Sequence, residues 1–179
     1  MNHQSVAAVL LDAAMFAAER HKNQRRKDAL ASPYINHPLA VAHLLASTGG
    51  IVDLAVLRAA ILHDTIEDTE TTEAELRERF GHEVADIVLE VTDDKTQPKQ
   101  RRKELQVEHA PDKSKGAALV KLADKICNLR DIANAPPTEW TLGRRQAYFD
   151  WAKQVVDRLP HVSDAMLRAF SDAYEARPK

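Results

Sequence analysis

Apolar residues recur along most of this chain at three- and four-residue intervals, the period that lays them on one face of an α-helix. Val6, Leu10, Ala13 and Ala17 do so first and predict a helix over about Ser5 to Lys22. Pro38 suits the first position of a second helix, which runs to about Ser47 before Thr48-Gly49-Gly50 ends it and makes His37 its cap-side neighbour. Leu54, Leu57 and Ile61 form a third stripe behind a cap at Asp53, and one more turn of that stripe lands on Asp64. Thr72 and Glu75 stand at capping-box spacing and open a helix that stops at Phe80-Gly81. Val84, Ile87, Val88 and Val91 mark the next, which ends in Thr92-Asp93-Asp94-Lys95. Lys99 to Glu108 is helix-compatible but weakly patterned and strongly charged. Its Arg101, Arg102 and Lys103 read either as a solvated face or as a phosphate-facing one. Ser114 can cap a long helix with Leu119, Leu122, Ala123, Ile126 and Leu129 inside, and Asp124 lies beside that stripe, one turn before Asn128. Beyond Pro136-Pro137 a helix carries Tyr148, Trp151, Val155 and Leu159, Ser163 opens the last one, and Arg177-Pro178-Lys179 is expected to fray.

The third stripe contains the chemistry. His63, Asp64, Glu67 and Asp68 form two i,i+4 pairs, so on a continuous helix all four share neighbouring faces, with Asp64 aimed towards the core. A carboxylate there needs a partner. A buried ion pair or a solvated helix end is one reading, and a metal site is the other. Adding His37, at a helix start, and Asp124, beside a buried stripe, makes a two-imidazole, two-carboxylate set drawn from three helices. Nitrogen and oxygen donors without thiolate favour Mn2+ or Fe2+, with Zn2+ also in range, over a closed structural zinc. Glu67 and Asp68 would then stand one turn away as general base or water-orienting groups, or are simply helix-end acids placed where the macrodipole disfavours them.

Composition narrows the class. With 179 residues, 44% hydrophobic content, 5 glycines and 5% aromatics, residues 1–179 are expected to form one all-α domain, a compact multi-helix bundle. Lys+Arg at 25 against Asp+Glu at 27 gives a net charge of −2, which argues against a nucleic-acid partner and requires any anionic ligand to meet a local basic patch. Arg25-Arg26-Lys27 is one such patch, or else a solvated loop. The single cysteine, Cys127, excludes an intrachain disulfide. Met1 to Ala18 lacks a basic n-region and reads as an amphipathic helix, not a signal peptide. No stretch approaches a membrane span, and no obligate protein partner is evident, so a cytoplasmic address is expected.

The order His37, His63-Asp64, Asp124 matches the H…HD…D pattern of HD-domain metal-dependent phosphohydrolases. Gln24-Arg-Arg-Lys-Asp28, Pro33-Tyr-Ile-Asn-His-Pro38, Ile61-Leu-His-Asp-Thr-Ile-Glu-Asp68, Val91-Thr-Asp-Asp-Lys95, His109-Ala-Pro111, Lys121-Leu-Ala-Asp-Lys125 and Asn128-Leu-Arg-Asp131 are more specific. Together, from about His21 to Val156, they resemble the stand-alone, metazoan-type alarmone hydrolases related to the hydrolase half of RelA/SpoT proteins. The resemblance implies an all-helical HD-domain fold and hydrolysis of guanosine 3′,5′-bis(diphosphate), (p)ppGpp, at its 3′ position to GDP or GTP and pyrophosphate, with Mn2+. It implies His37, His63, Asp64 and Asp124 as metal ligands, and Glu67 and Asp68 as the catalytic acidic pair. It further implies Arg26 and Lys27 as a nucleotide-contacting loop, Asn128 as a guanosine contact, and Lys95 and Arg144 near substrate phosphate. Cys127 departs from the aromatic or histidine usual at its position, and the chain has no room for a synthetase region. Removal of the 2′-phosphate from NADPH and a non-catalytic nucleotide-sensing role are the alternatives. The ligand and acidic sets are intact, which speaks against the second.

Overall fold

The computed structural model describes residues 5–179 and is helical throughout. The part of the expected N-terminal amphipathic helix that falls on residues 1–4 lies outside the described residues. Its elements are α1 (Val6–Arg20), α2 (Asn36–Ser47), α3 (Leu54–Leu62), α4 (Thr65–Asp68), α5 (Glu73–Phe80), α6 (His82–Val91), α7 (Lys99–Glu108), a 3-10 turn (Ala110–Asp112), α8 (Lys115–Asn134), α9 (Leu142–Val156) and α10 (Asp164–Glu175). Among the described residues there is no strand, only an isolated bridge between Arg25 and Pro33. None of the described helices is long and apolar enough to cross a membrane.

α8 is the axis of the bundle. It packs on α2, α3, α6, α9 and α10, and its buried residues run almost continuously from Ala117 to Leu129, Asp124 and Lys125 included. Small residues allow this close approach: a Cβ at Gly116 would sit 2.8 Å from Ile87 Cδ1 on α6. α3, with buried Ala59 and Ala60, packs on α1, α2, α6 and α8. The first turn of α2, the end of α3 and the middle of α8 therefore meet at one end of the core.

Side-chain caps set most boundaries as the sequence predicts. Asp53 accepts from the amides of Ala55 and Val56, Ser114 from Ala117, and Ser163 from Met166. Thr72 likewise accepts from Glu75, but the reciprocal half of the capping box is missing because Arg20 holds the Glu75 carboxylate. Other expectations are corrected. α2 begins at Asn36 with no side-chain cap, so Pro38 is its third residue, where an amide would still lack a helical partner. Val6 is exposed, and the buried face of α1 is Ala13, Phe16 and Ala17. α9 ends at Val156, which leaves Leu159 in the following turn. The C-terminus is tied down: Arg177 donates to both oxygens of Asp150 at 2.8 Å, and Gln146 donates to the Pro178 carbonyl at 3.1 Å.

The most consequential correction concerns the helix expected through Asp68. α3 stops at Leu62, and α4 begins after Asp64. Two side chains take over the carbonyls left at the break, with His63 Nδ1 on Ala60 at 2.7 Å and Thr65 Oγ1 on Leu62 at 2.7 Å. The four polar residues thus sit on a break, not on one helical face, and a four-residue turn has almost no dipole to oppose Glu67 and Asp68.

Candidate metal centre and substrate cleft

His37 Nε2 lies 3.1 Å from Asp124 Oδ1; His63 Nε2 lies 3.1 Å from Asp64 Oδ2 and 3.9 Å from Asp124 Oδ1. One donor atom each from His37, His63 and Asp124 falls within 4.8 Å of the others. Bonds of about 2.0–2.2 Å from one ion would space its donor atoms roughly 3 to 4 Å apart, the range of the 3.1 and 3.9 Å that separate His37 and His63 Nε2 from Asp124 Oδ1, so the three suit a common divalent cation after small side-chain shifts. Asp64 stands at the edge of this group, and its Oδ2 also accepts the Tyr34 hydroxyl at 2.6 Å.

The His63 ring supplies an independent test of that fit. Its Nδ1–H is committed to the Ala60 carbonyl, which can only accept, so the neutral ring presents a bare Nε2. That nitrogen is buried and makes no hydrogen bond, although the Asp64 and Asp124 oxygens face it at 3.1 and 3.9 Å. Burial alone would push the imidazole down, but the Asp64 carboxylate and then Asp124 outweigh it and hold His63 up at about 9. Burial would likewise raise Asp64 and Asp124. The His63 charge beside Asp64, and Lys125 with the two imidazoles beside Asp124, instead hold both well below the usual carboxylate range. Ionised carboxylates around a buried cationic position are what a divalent ion can replace a proton in. Lys125 Nζ, 3.3 Å from Asp124 Oδ2 and 4.2 Å from the Trp151 ring centre, keeps Oδ1 as the oxygen that faces the histidines.

Beside this cluster opens a cleft of about 600 Å³ whose walls include Arg26, Lys27, His37, Asp68, Asn128, Trp140 and Tyr148. Arg26 donates to Asp131 Oδ2 at 2.6 Å and to Asn128 Oδ1 at 3.3 Å, while Asn128 Nδ2 donates to Asp124 Oδ1 at 2.6 Å. Asn128 is therefore linked directly to the candidate ligand Asp124, and Arg26 is linked to it through Asn128. Arg144 lies with its guanidinium 4.4 Å over the Trp140 ring. Lys95 reaches the Asp68 carboxylate, so its ammonium sits on the acidic pair.

The acidic pair divides. Asp68 lines the cleft and accepts from Gln24 Nε2 at 2.9 Å as well as from Lys95. Glu67 turns towards the segment after α6, where its Oε2 accepts the Asp93 amide at 3.1 Å and its Oε1 is 3.8 Å from Arg102. Burial, followed by the charges of Asp93, Asp64 and Asp68, raises its carboxyl despite the Asp93 amide. The charged helix α7 divides similarly. Arg101 pairs along its own helix with Glu108 at 2.7 Å, the solvated reading, whereas Arg102 faces Glu67. Burial and the positive charges of Arg144, Lys27 and Arg102 lower Lys99, which marks a concentration of cations near the cleft.

Residue patterns did not single out Gln24, Tyr34, Lys125 or Trp140. Gln24, Tyr34 and Lys125 lie inside the motifs that carry the family resemblance, which is their only sequence signal. Trp140, in the segment before α9, carried none. Cys127 is buried, its thiol pushed up to about 12 by burial and then by Asp124.

The HD domain family model matches residues 13–148. A relative from Xenopus tropicalis, guanosine-3′,5′-bis(diphosphate) 3′-pyrophosphohydrolase MESH1, is 59% identical over 155 residues, 87% of each chain. The protein of the same name from Homo sapiens is 53% identical over 173 residues, 97% of each chain. A solved structure described as a metazoan ortholog of SpoT that hydrolyzes ppGpp superposes with a TM-score of 0.92 at 42% identity, over 99% of this chain and 98% of that one.

Proposed function

The chain belongs to the HD-domain family, within which it groups with the stand-alone metazoan ppGpp hydrolases, and on that footing we propose that it removes pyrophosphate from the 3′ position of guanosine 3′,5′-bis(diphosphate). The observation that carries the reading is the convergence of His37, His63 and Asp124 donor atoms within 4.8 Å at the edge of a cleft lined by Arg26 and Lys27. In this reading residues 1–179 act as one phosphohydrolase domain in the cytoplasm. Among the described residues one hydrophobic cluster reaches from Ala13 to Ala173, which supports the one-domain part.

His37, His63, Asp64 and Asp124 would hold the metal; two imidazoles and two carboxylates favour Mn2+ or Fe2+, with Zn2+ in range, and the family resemblance selects Mn2+ among them. When bound, a divalent cation supplies Lewis acidity and lowers the pKa of water from about 15.7 towards 7. The remaining work falls to side chains. Arg26 and Lys27, with Arg144 held behind the cleft wall on the Trp140 ring, offset the charge of the two diphosphates, and Asn128 meets the guanosine. Asp68, gripped by Gln24 and Lys95, orients the attacking water. Glu67 is suited to hold a proton at Oε1, the oxygen the Asp93 amide leaves free, and to deliver it to the departing ribose 3′-oxygen, a poor leaving group without one.

The test is pyrophosphate release from the alarmone by purified, Mn2+-loaded protein, with NADPH as a comparison substrate. Metal-loaded protein that releases no pyrophosphate sinks the proposal.

A further inference from the structure

His21, just past the end of α1, is 2% exposed and belongs to neither the ligand set nor the acidic pair. Its Nδ1 lies 2.6 Å from Gln24 Oε1, and Gln24 Nε2 lies 2.9 Å from Asp68 Oδ2. A carboxylate oxygen only accepts, so the Gln24 amide must present its NH2 to Asp68 and its carbonyl oxygen to His21. His21 therefore donates from Nδ1. Its Nε2 is buried and has no hydrogen-bond partner, which leaves this nitrogen free of competing bonds. The same ring lies 4.8 Å from the Tyr34 ring at 32°, and Tyr34 in turn holds Asp64. Backbone bonds brace the assembly: the Gln24 amide donates to the His21 carbonyl at 2.9 Å, and Tyr34 donates to the Gln24 carbonyl at 3.2 Å.

We propose that His21 is a positioning residue for the hydrolysis, acting through the chain His21 Nδ1–H to Gln24 to Asp68 to fix the carboxylate that orients the attacking water. A free glutamine amide can present either end to Asp68. Presenting its oxygen would place two acceptors face to face and turn Asp68 away, and His21 removes that alternative. Asp68 Oδ1 is held separately by Lys95, so losing His21 loosens the carboxylate without stripping its charge. The role rests on the proposed activity, but the hydrogen-bond geometry behind it does not.

Three substitutions separate the donor from the packing. His21→Asn places an amide NH2 near the Nδ1 position, His21→Gln moves it out to the Nε2 position, and His21→Phe keeps a ring against Tyr34 with no donor. The expected result for Mn2+-loaded protein is that His21→Phe and His21→Gln lose about 10- to 100-fold in kcat, with KM and bound metal close to wild type, while His21→Asn restores most of the rate. A phenylalanine variant with full kcat, or a folded asparagine variant as slow as phenylalanine, overturns the proposal. A second measurement needs no turnover. Nitrogen-15 spectra of metal-free and Zn2+-loaded protein should show His21 protonated at Nδ1, and a ring protonated at Nε2 instead also overturns it. Wild-type protein with the Nδ1–H tautomer but no pyrophosphate release would count against the activity alone.

Discussion

Replacing Tyr34 by phenylalanine isolates one bond of the candidate metal centre. The ring keeps its place 4.8 Å from His21, and only the hydroxyl that donates to Asp64 Oδ2 at 2.6 Å is lost. A hydrogen bond to a charged group contributes about 1.5–3 kcal/mol. At about 1.4 kcal/mol per tenfold, its loss predicts metal binding weaker by roughly 10- to 100-fold, the range found when the outer partner of a metal ligand is removed. The sign with pH follows from Asp64. Burial pushes this carboxyl up, and His63 outweighs burial to hold it below its unfolded value. The stabilisation it provides is therefore present above the unfolded pKa and lost as pH falls through the folded one. Without the hydroxyl that loss should begin at higher pH. Calorimetric titration of chelator-stripped wild-type and Tyr34→Phe protein with Mn2+, at neutral pH and at the lowest pH where both stay folded, measures both effects. A dissociation constant within about twofold of wild type at both pH values, in a protein with an unchanged helical spectrum, would refute the assignment of Asp64 as a ligand oriented by Tyr34.

Asp64→Ala should abolish metal-dependent turnover. Glu67→Ala should keep stoichiometric metal and lose most turnover, about 10²-fold or more if Glu67 is the proton donor; metal content and rate read on the same preparations check both, and a fully active Glu67→Ala removes Glu67 from the reaction. In metal-free protein His63 is raised from 6.5 to about 9, so the stability it contributes is complete below 6.5 and lost as pH rises through about 9. Thermal unfolding should show a fall in Tm across that window for stripped protein and a much smaller one after metal loading, because the ion displaces the proton. At Gly49 an added Cβ would lie 2.6 Å from the Leu45 carbonyl oxygen, a backbone atom that cannot swing aside. Gly49→Ala should therefore destabilise by about 1–3 kcal/mol in denaturant titration, with little change in metal affinity.

Periodicity and turn chemistry determined most of this protein from sequence alone. Stripes at helical spacing predicted the long helices, and caps such as Asp53, Ser114 and Ser163 placed their starts, because both signals act over a few residues. The resemblance added His37, His63, Asp64 and Asp124 as a set, and three of them do converge. Local pattern could not show the break after Leu62: the helical spacing of Leu54, Leu57 and Ile61 runs on into Asp64 with no glycine or proline to stop it, and only the folded chain lets His63 and Thr65 take the orphaned carbonyls. That break turns His63 Nε2 towards the cluster and sends Glu67 and Asp68 to different neighbours. Contacts between elements far apart in sequence likewise decided that Lys95 sits on Asp68, that Tyr34 holds Asp64 and that His21 reaches Asp68 through Gln24. Spacing along one helix specifies which residues share a face. Which oxygen or nitrogen stays free for an ion or a substrate depends on every donor and acceptor that packing brings around it, and that is settled only when α2, α3 and α8 meet.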